Sequence, residues 1–131
     1  MALEIMVNKC YGGFGFSEEA RLLYLKRKGL RHDLEMYFDD IERHDPVMVQ
    51  IVKELGPRAN GFCAKIEIEK IPLRFGKHYA INDYDGSEGV WINHESYKID
   101  AAKAILRARN LTKAEKIARA FRILDSHVDL L

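Results

Sequence analysis

The sequence predicts a small α+β domain, and three observations carry that prediction. Leu3, Ile5 and Val7 alternate with Glu4, Met6 and Asn8, the period of two of a strand with one buried face. Asp45-Pro46, followed by Val47, Met48, Ile51, Val52 and Leu55, is a helix cap leading into apolar residues at helical spacing. Ala64 to Ile71 alternates again, with Ile66 and Ile68 set between Lys65, Glu67 and Glu69. The expected architecture is a small mixed sheet of about four strands with two helices in the core, over 1–97, followed by a C-terminal basic αα-hairpin over 98–131. The hairpin packs on the core or on a neighbouring subunit.

A chain of 131 residues is long enough to bury a core without metal or disulfide support. Cys10 and Cys63 are too few and too isolated for a disulfide framework or a zinc site, and both read as reduced thiols, buried or nearly so. The N-terminus lacks a basic region followed by a long apolar run, and no stretch approaches the roughly 18 apolar residues of a membrane span, so a cytoplasmic protein is expected. The net charge of +1 hides two segments of opposite sign. Asp33 to Glu54 carries seven acidic residues against Arg43 and Lys53; Lys98 to Arg122 carries eight basic residues against Asp100 and Glu115. Such segments either face each other, within one subunit or between two, or are two solvated faces; they give the chain a reason to self-associate, and a homo-oligomer, at least a dimer, is expected.

Cys10 to Arg21, CYGGFGFSEEAR, joins the first strand to a helix through three glycines and three aromatic rings. Gly12, Gly13 and Gly15 permit a tight turn, Ser17 fits an N-cap, and Glu18 and Glu19 complement the helix dipole. This helix should run to about Lys28 with Leu22, Leu25 and Tyr24 on its apolar face, and stop at Gly29. Leu34, Met36 and Phe38 suggest a short strand followed by a loop. After the strand at 64–71, a short link containing Gly76 leads to a second strand at His78 to Tyr84, the two pairing as a hairpin. Asp85-Gly86-Ser87 is a turn, able to face the first one, before Val90, Trp91 and Ile92. In the tail, Asp100 caps the first helix and Asn110 ends it. Thr112 with Glu115 makes a capping box for the second, whose Ile117, Ala120, Phe121 and Leu124 share a face.

For chemistry, strand, glycine turn and helix N-terminus together suit an anion, but GGFGFS matches neither GxGxxG nor GxxxxGK[ST]. Phe16 reads as core; Tyr11 and Phe14, flanked by glycines, read as exposed rings able to stack on a base. Cys10, His32, His44, His78 and His94 supply nucleophile and base types, but none falls in a local pattern that a mechanism requires, His94-Glu95 lacks the second histidine of HExxH, and His127 reads as solvated. Neither a metal site, a cofactor nor an enzymatic activity is expected. Arg107, Arg109, Lys113, Lys116, Arg119 and Arg122 can track nucleic-acid phosphates or form an ordinary solvated face.

Strand-NKCYGGFGFSEEA, DPVMVQIVKELG, ANG with AKIEIEKIP, and YAINDYDGSEGV, in that order from about Leu3 to Val90, resemble a widespread family of small phage and prophage proteins. Phage-borne families of this kind include sponge proteins that sequester cyclic-nucleotide signals of bacterial immunity without cleaving them. The resemblance implies a non-enzymatic binder of a phosphate-bearing small molecule, a cyclic nucleotide, with a pocket often formed between subunits. The positions it marks are Asn8, Lys9, Tyr11, Gly12, Gly13, Phe14 and Gly15, and Tyr84, Asp85 and Gly86. Lys9 would meet phosphate, Tyr11 or Phe14 would stack, the glycine amides would donate, and Asp85 would accept from a base edge. Equally open are a solvated Lys9, a core Tyr84 and an Asp85-Gly86 that only turns a hairpin. Two other functions remain: a protein-binding module that inhibits or recruits a host factor, and nucleic-acid binding by the tail.

Overall fold

The computed structural model describes residues 1–34 and 40–125. The expected strand through Leu34, Met36 and Phe38 and the reading of His127 lie outside that range. The chain is mixed α+β and divides into two compact units, one of residues 1–76 and 81–91, the other of 77–80 and 92–131. The boundary expected after residue 97 falls inside a helix. In chain order the elements are β1 (Ala2–Asn8), α1 (Glu18–Arg27), α2 (Pro46–Leu55), β2 (Ile66–Pro72), β3 (Tyr79–Tyr84), β4 (Ser87–Ile92), α3 (His94–Arg107) and α4 (Lys113–Asp125).

Among the described residues the strands form two separate two-stranded sheets, not one mixed sheet: β1 with β2, and β3 with β4. β1 and β2 are antiparallel, with Met6 opposite Ile68 and Asn8 opposite Ile66. The expected pairing of β2 with β3 does not form, because Pro72 ends β2 and a 3-10 turn over Leu73–Phe75, with Phe75 buried, redirects the chain. The hairpin lies one strand later. Asp85 (φ 52°) and Gly86 (φ 93°) both take positive φ, as a two-residue type I′ turn demands.

In the first unit, Met6 of β1 packs with Ala20 and Tyr24 of α1, with Met48, Val49, Ile51 and Val52 of α2, and with Phe14, Ile41 and Ala59. Full burial of side chains such as Met6, Met48 and Ile51 contributes about 1.5–3 kcal/mol each. The buried face of α1 is Ala20, Tyr24 and Leu25; Leu22, expected there, is exposed because helical spacing puts it on the opposite side from Ala20 and Tyr24. Ser17 caps α1 through the amide of Ala20, and Gly29 (φ 70°) follows its last turn. Asp45 caps α2: its Oδ1 accepts from the amides of Val47 and Met48.

Tyr24 ties the two helices together, donating its hydroxyl to Asp45 Oδ2 at 2.8 Å. Burial, then this hydrogen bond and the charge of Asp45, push its phenol up to about 12. Its folded pKa is raised, so the stability it contributes is fully present below pH 10 and is lost as pH rises through 12. Two units correspond to roughly 2–3 kcal/mol. Urea titrations at pH 9 and pH 12 should show a loss of that order, and Tyr24→Phe should remove the alkaline slope while lowering stability at pH 7. An identical slope in that variant would assign it to other groups.

In the second unit, α3 and α4 pack against each other with Ala102 and Ala120 buried. Thr112 and Glu115 form the expected reciprocal capping box, with both bonds at 3.1 Å. The start of α3 differs from expectation: Asn93, not Asp100, is the cap, accepting from the Ser96 amide, and Asp100 lies two turns inside the helix. Among the described residues, no helix is long and apolar enough to cross a membrane.

Candidate functional site

β1 carries its sequence straight into the candidate site, and its last residue anchors it. Pairing with β2 uses the hydrogen-bonding groups of alternate residues, so Met6 and Asn8 present theirs to the other edge. Among the described residues, no third strand meets them there. The Met6 amide donates to the Arg43 carbonyl, and the Asn8 amide donates to Glu88 Oε1 at 2.8 Å. Arg43 and Glu88 thus cover an edge that would otherwise expose unpaired groups.

Glu88 is among the most buried charges, its side chain 5% exposed. Arg43 grips it with two nitrogens, at 2.6 and 2.9 Å, and stacks its guanidinium 3.6 Å from the centre of the Phe14 ring. Phe14, expected as an exposed stacking ring, is therefore a core residue: one face serves Arg43, and Phe16 meets it edge-on at 5.0 Å. Phe16 is partly buried against the core, as expected. Arg43 and Glu88 stand 45 residues apart, and no local pattern marks either.

Asn8 is fully buried and its amide is saturated. Its Nδ2 donates to the carbonyls of Cys10 and Gly86, both at 2.7 Å, and its Oδ1 accepts from the Lys65 amide at 2.8 Å. One side chain thereby ties together the glycine turn, the start of β2 and the β3–β4 turn. Lys9 is neutralised: its Nζ lies 2.5 Å from Glu69 Oε1 and donates to the Glu88 carbonyl.

The two turns do face each other. A Cβ on Gly86 would stand 2.8 Å from the Gly13 nitrogen and 2.9 Å from that of Gly12, so the two turns approach too closely here to admit a side chain between them. Gly12 in turn lies against Cys63, whose φ of 61° is the left-handed conformation. Gly15 accepts from the Gly61 amide. Three loops, at 10–15, 61–64 and 84–86, therefore converge at one end of the β1–β2 sheet.

What these loops leave in solvent is aromatic. Tyr11 is 72% exposed, Phe62 97% and Tyr84 78%; Cys63, expected buried, is exposed too. Tyr84 is thus not core. Asp85 is exposed at the hairpin turn, and Asp83 folds back to accept from the Gly86 amide. Of the ten positions marked by sequence, the structure brings all to this end of the first unit. It exposes Tyr11, Gly12, Tyr84 and Asp85, and commits Asn8, Lys9 and Phe14 to the scaffold. Phe62 was missed; its place between Gly61 and Cys63 repeats the glycine-flanked pattern of Tyr11.

Elsewhere, a cleft at the other end of β1 is lined by Leu3, Glu4, His44, Pro46 and Val49. In the second unit His78, read as patternless, sits between Ser96 and Asp100. No group of three or more His, Cys, Asp and Glu among the described residues is placed to hold a metal. Comparison with protein-family models, curated proteins and solved structures finds no match.

Proposed function

We propose that the first unit is a recognition module that docks onto a protein partner through the aromatic loop cluster of Tyr11, Phe62 and Tyr84. The observation that carries this reading is three large rings left in water on three loops whose bases are locked by Asn8 and by glycine contacts. Exposed aromatic groups on a rigid base lose little conformational entropy on binding and dominate protein interfaces. Asp83 and Asp85 beside them favour a partner that offers arginine or lysine, for ion pairing and for stacking on the rings.

The same charges speak against the phosphate-bearing ligand implied by the phage-family resemblance. Lys9 and Arg43 already hold carboxylates. A cyclic nucleotide stacked on the rings is the competing occupant, since ring faces accept any base. A homo-oligomer remains part of the proposal, and α4 offers it an exposed apolar stripe of Ile117, Phe121 and Leu124.

The test is a triple variant, Tyr11→Ser, Phe62→Ser, Tyr84→Ser, compared with the natural chain. A protein captured from cells by the natural chain should be identified, purified and titrated against both. Its affinity should fall at least about 100-fold in the variant, with circular dichroism unchanged. Equal affinity rejects the reading. Native mass spectrometry with cyclic di- and trinucleotides decides the alternative: an adduct released intact on heating replaces the protein partner by a nucleotide. The same spectra report the oligomer, and a monomer at working concentration rejects self-association.

A further inference from the structure

The second unit holds a side-chain set that the first unit's recognition role does not use. Ser96 and Asp100 are four residues apart on α3 and so share one face of the helix. The ring of His78, just before β3, lies between them. Its Nδ1 is 2.5 Å from Ser96 Oγ, and its Nε2 is 3.5 Å from Asp100 Oδ2. The His78 side chain is only 9% exposed, and the Tyr97 ring meets it edge-on at 5.7 Å. Behind it, the Asn93 amide donates to the His78 carbonyl at 2.6 Å, which fixes the histidine backbone to the helix cap.

We propose that Ser96, His78 and Asp100 act as nucleophile, base and orienting carboxylate in acyl transfer from an activated ester. The mechanism requires one particular tautomer. A neutral imidazole with its hydrogen on Nε2, facing the Asp100 carboxylate, leaves Nδ1 as an acceptor for the Ser96 hydroxyl. The roles of the two ring nitrogens are exchanged relative to the serine-protease arrangement, and the logic is kept. The hydroxyl has no structural duty at the helix start, because Asn93 already supplies the cap and serves the Ser96 amide. Ser96 stands in the first turn of α3, at the end of the helix that carries positive potential.

The steps balance. Ser96 Oγ bonds to the ester carbonyl carbon as its proton passes to His78 Nδ1. That proton then goes to the departing alcohol oxygen as the carbon–oxygen bond breaks, leaving an acyl-serine. Water attacks the acyl-serine, Nδ1 takes a proton from it and returns one to Ser96 Oγ, and a carboxylic acid leaves. Asp100 holds the ring and stabilises its transient positive charge.

The full chain is treated with a fluorophosphonate probe, and the labelled residue is located by peptide mass spectrometry. Ser96 should label in preference to Ser17 and Ser87. In His78→Gln, which keeps an acceptor for the hydroxyl but cannot carry the proton, labelling should slow on the order of 100-fold with circular dichroism unchanged. Ser96→Ala should abolish turnover of p-nitrophenyl acetate. Absence of label on Ser96 in the folded protein, or an equal rate in His78→Gln, overturns the proposal. If His78→Gln does not fold, Asp100→Asn takes its place: its side chain is largely exposed, and an undiminished labelling rate there overturns the proposal equally.

Discussion

Replacing Glu88 by alanine should lower the stability of the first unit by about 3–5 kcal/mol, a large part of the 5–15 kcal/mol typical of a domain. The substitution strands two groups at once. Arg43, its side chain 20% exposed and pressed against Phe14, loses both carboxylate bonds, and the Asn8 amide at the edge of β1 loses its carboxylate acceptor. Removing both charges costs less than the sum of the single changes, because no uncompensated ion remains: Arg43→Met with Glu88→Leu should fall well short of the additive value. Urea denaturation of the two single variants and the double variant measures this coupling. A Glu88→Ala loss below about 1 kcal/mol would mean that water replaces the carboxylate and that the pair does not close the edge.

Glu88 also shows where the sequence stopped being legible. Elements that announce themselves locally were readable. Ser17, Asp45-Pro46 and the Thr112–Glu115 box each cap the helix their residue types demand. Pairings set by chain reversal were harder. The sequence marks both Gly76 and Asp85-Gly86 as turns, and only the second has two consecutive residues able to hold positive φ. At α3, both Asn93 and Asp100 are competent caps, and side-chain type alone does not choose between them.

The site was legible in position and misread in role. Glycines on both sides of Phe14 suggest exposure, yet the ring is needed inside because the only buried arginine-carboxylate pair described in the first unit requires an apolar face to lie on. Asn8 reads as a ligand group until its partners at Cys10, Gly86 and Lys65 appear, and those contacts span up to 78 residues of chain. The motif's residues thus build the platform, and its rings stand on it.

Gly12→Ala should be the second most damaging single change, costing about 3 kcal/mol, at the upper end of ordinary overpacking. The reason is that the added methyl meets backbone. It would collide with the carbonyl oxygen and Cβ of Cys63, and Cys63 is already held at φ 61°. A flexible side chain could swing aside, but a carbonyl in a short loop moves only by displacing its neighbours, here the 61–64 loop joined to Gly15. Gly86→Ala should act in the same direction for a compound reason, since φ 93° is strained for any residue with a Cβ and the methyl would press on the Gly12 and Gly13 nitrogens. Gly13 separates the two causes. It has φ 101° with open space around the Cβ position, so Gly13→Ala reports backbone strain alone, about 1–2 kcal/mol. Thermal melts of the three variants should therefore rank Gly13→Ala mildest. If Gly12→Ala instead proves as mild as a surface change, the three loops are not locked, and the rigid base on which the proposed docking surface depends is absent.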